Sequence, residues 1–217
     1  QADISRQAKD RFLQIVSHEI RNPLNAIVGI TRLLEQAPLG TKELEQVETL
    51  SFSAHHLLSI INDILDTAKL QYGKIKLDQV PFTLQEQLLR AEELFRPLAA
   101  DQETDVHLQL DDRLPEVVVG DPTRFNQIIF NLLSNAVKYT FRGKIFLKCR
   151  LLKDHKQSYL LEFAVTDTGT GIPDQNMDRV FEAFEQQGLR TGQQKGGTGL
   201  GLYIVKELVT LMGGEIQ

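Results

Sequence analysis

The pair His18-Glu19 lies inside an apolar-periodic stretch, Phe12-Leu-Gln-Ile-Val-Ser-His-Glu-Ile-Arg-Asn-Pro-Leu-Asn25. Imidazole is a neutral nitrogen nucleophile at physiological pH, because its unperturbed pKa is roughly 6.5. An adjacent carboxylate takes up the ring's other proton as attack proceeds, the arrangement of an activated nucleophile. His18 is therefore a candidate phosphoryl acceptor. The plainer alternative is a helix-surface histidine beside a charged neighbour.

Three later stretches converge on a nucleotide. In Asn126–Thr140, the residues Asn131, Asn135 and Lys138 recur at spacings of four and three, so one helical face carries them amid apolar neighbours. An unsatisfied buried amide costs roughly 1–3 kcal/mol, so such a face needs partners. Phosphate oxygens and a metal ion would serve: an amide oxygen is a hard ligand for Mg²⁺, and Lys138 suits phosphate as a point charge. Buried structural asparagines are the competing reading. In Val165-Thr-Asp-Thr-Gly-Thr-Gly-Ile-Pro173, Asp167 ends an apolar strand, where it can accept a hydrogen bond from an exocyclic amine such as adenine N6. Gly169 and Gly171 would let backbone approach a ring closely, although Asp then Gly is also a common turn. Gly196-Gly-Thr-Gly-Leu-Gly201 opens a helix, where free amide hydrogens and a positive dipole end favour anions. It matches neither a P-loop nor a dinucleotide fingerprint. Polar residues between 185 and 198 read as a mobile flap over the site, with Phe181 and Phe184 before it as core anchors.

The elements that must position these groups fall into two blocks. Helical patterns over residues 3–36 and 42–71 are joined by Ala37-Pro-Leu-Gly40, a short turn that favours antiparallel neighbours. The second helix carries a stripe of Leu44, Val47, Ser51, Ala54, Leu58, Ile61, Leu65 and Ala68, widened by Leu50, Leu57 and Ile64; the first carries Leu13, Val16, Ile20, Ile27, Ile30 and Leu34. So broad a stripe suits a four-helix bundle, of which two helices are half. A homodimer completes it most simply, and packing of the hairpin on its own second domain is the alternative. Pro23 kinks the first helix, either as a tolerated bend or as a hinge for His18. After Tyr72-Gly73 helices and strands mix: helix 82–100, strands 106–110 and 116–119, helix 122–139, strands 145–150 and Tyr159–Asp167, and helix 200–212. The expected domains are residues 1–75 and 76–217.

Composition narrows the class. A net charge of −5 argues against a broad nucleic-acid or anionic-membrane surface, and no run approaches 18 apolar residues. A single cysteine, Cys149, excludes an internal disulfide, fits a reducing compartment and reads as a small buried hydrophobe. His55 and His56 lack a third ligand nearby in sequence, which argues against zinc, and His107, His155 and Arg21 read as structural or solvated. The chain starts without Met and stops as a strand begins, as expected of a fragment of a longer protein.

With five motifs in order, the chain resembles the catalytic core of sensor histidine kinases of two-component signalling. Residues 17–24 match the phosphoacceptor box, 131–140 the Asn box, 167–173 the first Gly box, 181–184 the Phe box and 197–201 the second Gly box. The resemblance implies a multidomain α and α+β fold: a dimeric four-helix bundle, then an α/β sandwich ATP-binding domain of the gyrase, MutL and histidine kinase type, with its final strands missing here. It implies ATP-dependent autophosphorylation of His18 assisted by Glu19, with transfer to an aspartate of a response-regulator receiver domain. Asn22 would position water for a phosphatase reaction. Asn131 would coordinate Mg²⁺, Asn135 and Lys138 lie near the phosphates, Tyr139 against the nucleotide, and Asp167 on the adenine amine. Gly169, Gly171, Gly197, Thr198, Gly199, Leu200 and Gly201 would shape the pocket and its lid. The implied partners are a second copy and a receiver domain, without nucleic acid or membrane contact by this segment. The implied location is the cytoplasm, as the soluble portion of a sensor. An ATP-driven clamp explains the nucleotide pattern equally well, but gives no reason for His18-Glu19 and Asn22 on a long helix.

Overall fold

The computed structural model describes residues 20, 22–34, 37, 40–71, 75–156, 158–177, 179–184 and 199–217. The chain forms two compact units, Gln1–Ile75 and Lys76–Gln217.

In the first unit, residues 22–34 are helical (α1) and Thr41–Gln71 forms α2. The stripe foreseen on α2 is the shielded face: Ala54 and Leu65 are buried, and Leu44, Val47, Ser51, Leu58, Ile61 and Ala68 are half-buried. Its flank of Leu50, Leu57 and Ile64 is exposed. On α1 the burial differs from expectation. Leu24 and Thr31 are buried and Val28 half-buried, whereas Ile27, Ile30 and Leu34 are exposed. Both rows share the helical period, so the pattern alone could not rank them.

The second unit begins with β1 (Val80–Thr83) and α3 (Leu84–Ala100). Then come β2 (Asp105–Leu110), β3 (Val117–Gly120), α4 (Pro122–Tyr139), β4 (Lys144–Asp154), β5 (Tyr159–Asp167), a short 3-10 turn (Asp174–Asn176) and α5 (Gly201–Leu211). β1 and β3 form an antiparallel ribbon, with Phe82 opposite Val118. The larger sheet has the order β2-β4-β5, parallel between β2 and β4 and antiparallel between β4 and β5. Helices α3 and α4 pack together, and α4 also carries α5.

The core follows from spacing. Leu84, Leu88, Ala91, Phe95 and Ala99 give α3 one apolar face, and Phe125, Ile129, Leu133, Ala136 and Val137 give one to α4. They pack with Val106, Ile145, Leu147 and Cys149 of the sheet, and the Phe125 ring meets Phe163 edge-on at 5.1 Å. Burial pushes the Cys149 thiol up to about 12, with the nearby Asp111 carboxylate adding to the shift. Asp111 itself is held well below the usual carboxylate range, first by the Arg113 side chain (2.6 Å to Oδ2) and then by the Arg113 amide.

The start of α4 is locked by Asp121, which is buried. Its Oδ1 accepts the Arg124 amide at 3.0 Å as an N-cap, and Pro122 follows at the first helical position. Its Oδ2 accepts the Asp78 amide at 3.1 Å, tying the chain ahead of β1 to the helix that carries the asparagines.

Candidate functional site

Helix α4 forms one wall of the site. Asn131, Asn135 and Lys138 are half-buried on it. The Asn131 Nδ2 is buried and has no hydrogen-bond partner among the described residues. Facing it is the start of α5: a Cβ built on Gly201 would lie 3.7 Å from Asn131 Oδ1, so that amide is the nearest neighbour of the helix entrance. Leu200 occupies the N-cap of α5, is fully buried, and its own side chain makes no capping hydrogen bond. Gly199 before it has φ +69°, a conformation that favours glycine. A helix N-terminus beside an amide nitrogen that lacks a partner among the described residues is suited to an anion.

At its other end α4 holds the Asp167 turn. Asp167 closes β5, paired with Ile145, and its Oδ1 accepts the Gly169 amide at 2.8 Å. The Tyr139 carbonyl, at the last residue of α4, accepts the Thr170 amide at 3.2 Å. That contact explains Gly169. A Cβ there would run into the Tyr139 carbonyl oxygen and lie 2.8 Å from Asp167 Oδ1. The close approach is thus to the protein's own backbone. Gly171 has φ +67° with open space around it, so its requirement is conformational.

Among the other expected residues, Asn22 is exposed on α1, and the Tyr139 ring is exposed with the Lys138 ammonium 4.9 Å from its centroid. His18, Glu19, Arg21, Gly197, Thr198 and the expected flap lie outside the described residues, as do the side chains of His55 and His56. Phe181 is half-buried, but Phe184 is not a core anchor: it is 66% exposed at φ +67°, and its amide donates to the Gly199 carbonyl at 3.0 Å. This bond pins residue 184 to the entrance of α5. His107 is exposed and stacks on Phe146 at 5.3 Å, and His155 is exposed. Thr168, which the motifs left without a role, and Gly143, which no motif includes, carry the Asp167 turn. Their only sequence signal was position beside a strand end.

Comparison with known proteins bears on the family and the fold. Residues 8–73 match the His Kinase A (phospho-acceptor) domain, and residues 120–217 the Histidine kinase-, DNA gyrase B-, and HSP90-like ATPase family. The chain is 41% identical over 208 residues to sensor histidine kinase GacS of Pseudomonas protegens, covering 96% of this chain and 23% of that protein. It is 39% identical over 218 residues to signal transduction histidine-protein kinase BarA of Escherichia coli, covering 100% of this chain and 24% of that one. The chain thus spans about a quarter of the length of these curated relatives. Full-length ShkA in complex with AMPPNP superimposes with a TM-score of 0.73 at 34% identity, over 94% of this chain and 41% of that one. A helical phosphoacceptor unit followed by an α/β ATPase unit places this chain in the sensor histidine kinase family of two-component signalling.

Proposed function

We propose that the chain catalyses ATP-dependent phosphorylation of its own His18 and passes the phosphoryl group to an aspartate of a response-regulator receiver domain. The observation that carries the nucleotide half is the buried Asn131 Nδ2, without a hydrogen-bond partner among the described residues, beside the start of α5. Tyr139 lies eight positions after Asn131, about 12 Å of helix, which spaces a phosphate end from the base-binding turn at Asp167. Asn131 would hold the Mg²⁺ that accompanies the triphosphate and neutralises its charge, and Lys138 and Asn135 would hold phosphate oxygens. Asp167 has one oxygen committed to Gly169, leaving the other for the adenine amine. His18 attacks the γ-phosphorus, the bond to the β,γ-bridging oxygen breaks and ADP leaves, while Glu19 takes the imidazole proton. In the reverse sense of signalling, Asn22 would orient water toward a phosphoaspartate. Incubation with γ-labelled ATP and Mg²⁺ should give acid-labile label on the wild type and none on His18→Gln. Label that persists in the variant would sink the assignment.

Dimerisation is the second part of the proposal. On both helices the exposed apolar row (Ile27, Ile30 and Leu34; Leu50, Leu57 and Ile64) is displaced from the shielded line in the same rotational sense. For antiparallel neighbours that shared sense puts both rows on one side of the hairpin. A second copy presenting the same side would complete a four-helix bundle. Sedimentation of Leu57→Lys should show dissociation at concentrations where the wild type is dimeric.

A further inference from the structure

We infer that the Thr168 hydroxyl is the positioning group for the Asp167 carboxylate and thereby sets how strictly the pocket separates a 6-amino from a 6-oxo purine nucleotide; this rests on the nucleotide reading above. The last ladder pair of β4 and β5 is Ile145 with Asp167. One residue further on, Thr168 adds a rung of its own. Its Oγ1 accepts the Lys144 amide at 2.9 Å, and its amide donates to the Lys144 carbonyl at 3.1 Å. Asp167 is therefore held between the ladder and a two-bond clamp. Its Oδ1 is fixed by the Gly169 amide, and the turn beyond is fixed by the Tyr139 carbonyl.

The space for this hydroxyl is reserved by the α4–β4 turn. A Cβ on Gly143 would collide with Thr168 Oγ1 and lie 2.7 Å from Thr140 Cγ2. Thr140 is fully buried there, and Thr104 Oγ1 accepts the Gly143 amide at 3.4 Å while donating toward the Gln102 carbonyl at 3.2 Å. A glycine with three threonines around it in space thus leaves room for the clamping hydroxyl. The chemistry follows from the remaining oxygen of Asp167. An exocyclic amine donates to it, whereas a 6-oxo group sets acceptor against acceptor, and a site built for the donor rejects its analogue only while the acceptor stays in place.

The test uses the whole chain, ATP and ITP, with affinities measured by titration calorimetry. Thr168→Val keeps the shape but loses the acceptor. It should weaken ATP binding about threefold to tenfold, the worth of one hydrogen bond, and lower the ATP-to-ITP preference by a similar factor. Thr168→Ser keeps the hydroxyl and should restore both. Should the valine variant not fold, Gly143→Ala displaces the same hydroxyl and should lower the preference likewise. Weaker binding of both nucleotides at an unchanged ratio would show general loosening and overturn the inference, as would unchanged affinity. A wild-type chain that binds neither nucleotide would instead overturn the reading of the pocket.

Discussion

Replacing Gly169 with alanine tests whether the Asp167 turn is held by the end of α4. The new methyl cannot be relieved by a rotamer change, because the atoms in its way are the carbonyl oxygen of Tyr139 and, at 2.8 Å, its carbonyl carbon. The turn must therefore back away from α4. Two hydrogen bonds depend on its present place: Gly169 amide to Asp167 Oδ1 at 2.8 Å, and Thr170 amide to the Tyr139 carbonyl at 3.2 Å. At about 1 kcal/mol net for each, the loss is about 2 kcal/mol. Tenfold corresponds to about 1.4 kcal/mol, so ATP affinity should fall about 30-fold. Titration with ATP and Mg²⁺ measures this directly, and circular dichroism confirms that the helices remain. Affinity within twofold of the wild type would mean that the turn does not need the contact.

Three further outcomes follow from the second unit. Asp121→Ala removes the α4 cap and the tether to Asp78 and should destabilise the unit by about 1–2 kcal/mol in urea unfolding, with Asp121→Asn milder; an unchanged midpoint would contradict the cap. Cys149, with its thiol pushed up to about 12 by burial, should resist iodoacetamide at pH 8 until the protein is unfolded, so rapid alkylation of the native chain would count against the core as described. Asp111 titrates lower when folded than its unfolded value near 3.9, so its contribution is present above that value and lost as pH falls through the folded one. Asp111→Asn should therefore flatten the acid limb of the stability profile below about pH 4, and an unaltered limb would contradict the Arg113 clasp.

The long elements of the second unit were legible because each buries one face at a regular period: α4 runs Pro122–Tyr139 where 122–139 was expected. Strand β1 was not. Val80–Thr83 is four residues long, too short for a period to show, and it exists because Phe82 and Val118 meet across a pairing distant in sequence. Strand β4 outran its expected end at residue 150 because a register irregularity between Leu151 and Lys153 hides the alternation. Phe184 shows the opposite error, since an aromatic beside a loop reads as core until its surroundings are known. The candidate site stood out as residue types, because Asn131, Asp167 and the glycines are unusual where they stand. The clamp on Asp167 was not, because it joins Gly143, Lys144 and Thr168 through bonds that no local spacing announces. The exposed row on α1 belongs with it: periodicity shows that a helix has an apolar side, and only burial shows which part of it is shielded.

In the proposed reaction one imidazole receives the γ-phosphoryl group from a nucleotide held by α4 and α5. After brief incubation with ATP and Mg²⁺, peptide mapping by electron-transfer mass spectrometry under neutral conditions should place a single phosphate on His18, and Asn131→Ala should leave that peptide unmodified. Phosphate on Ser17, or ATP consumed with the His18 peptide unmodified throughout, would contradict it.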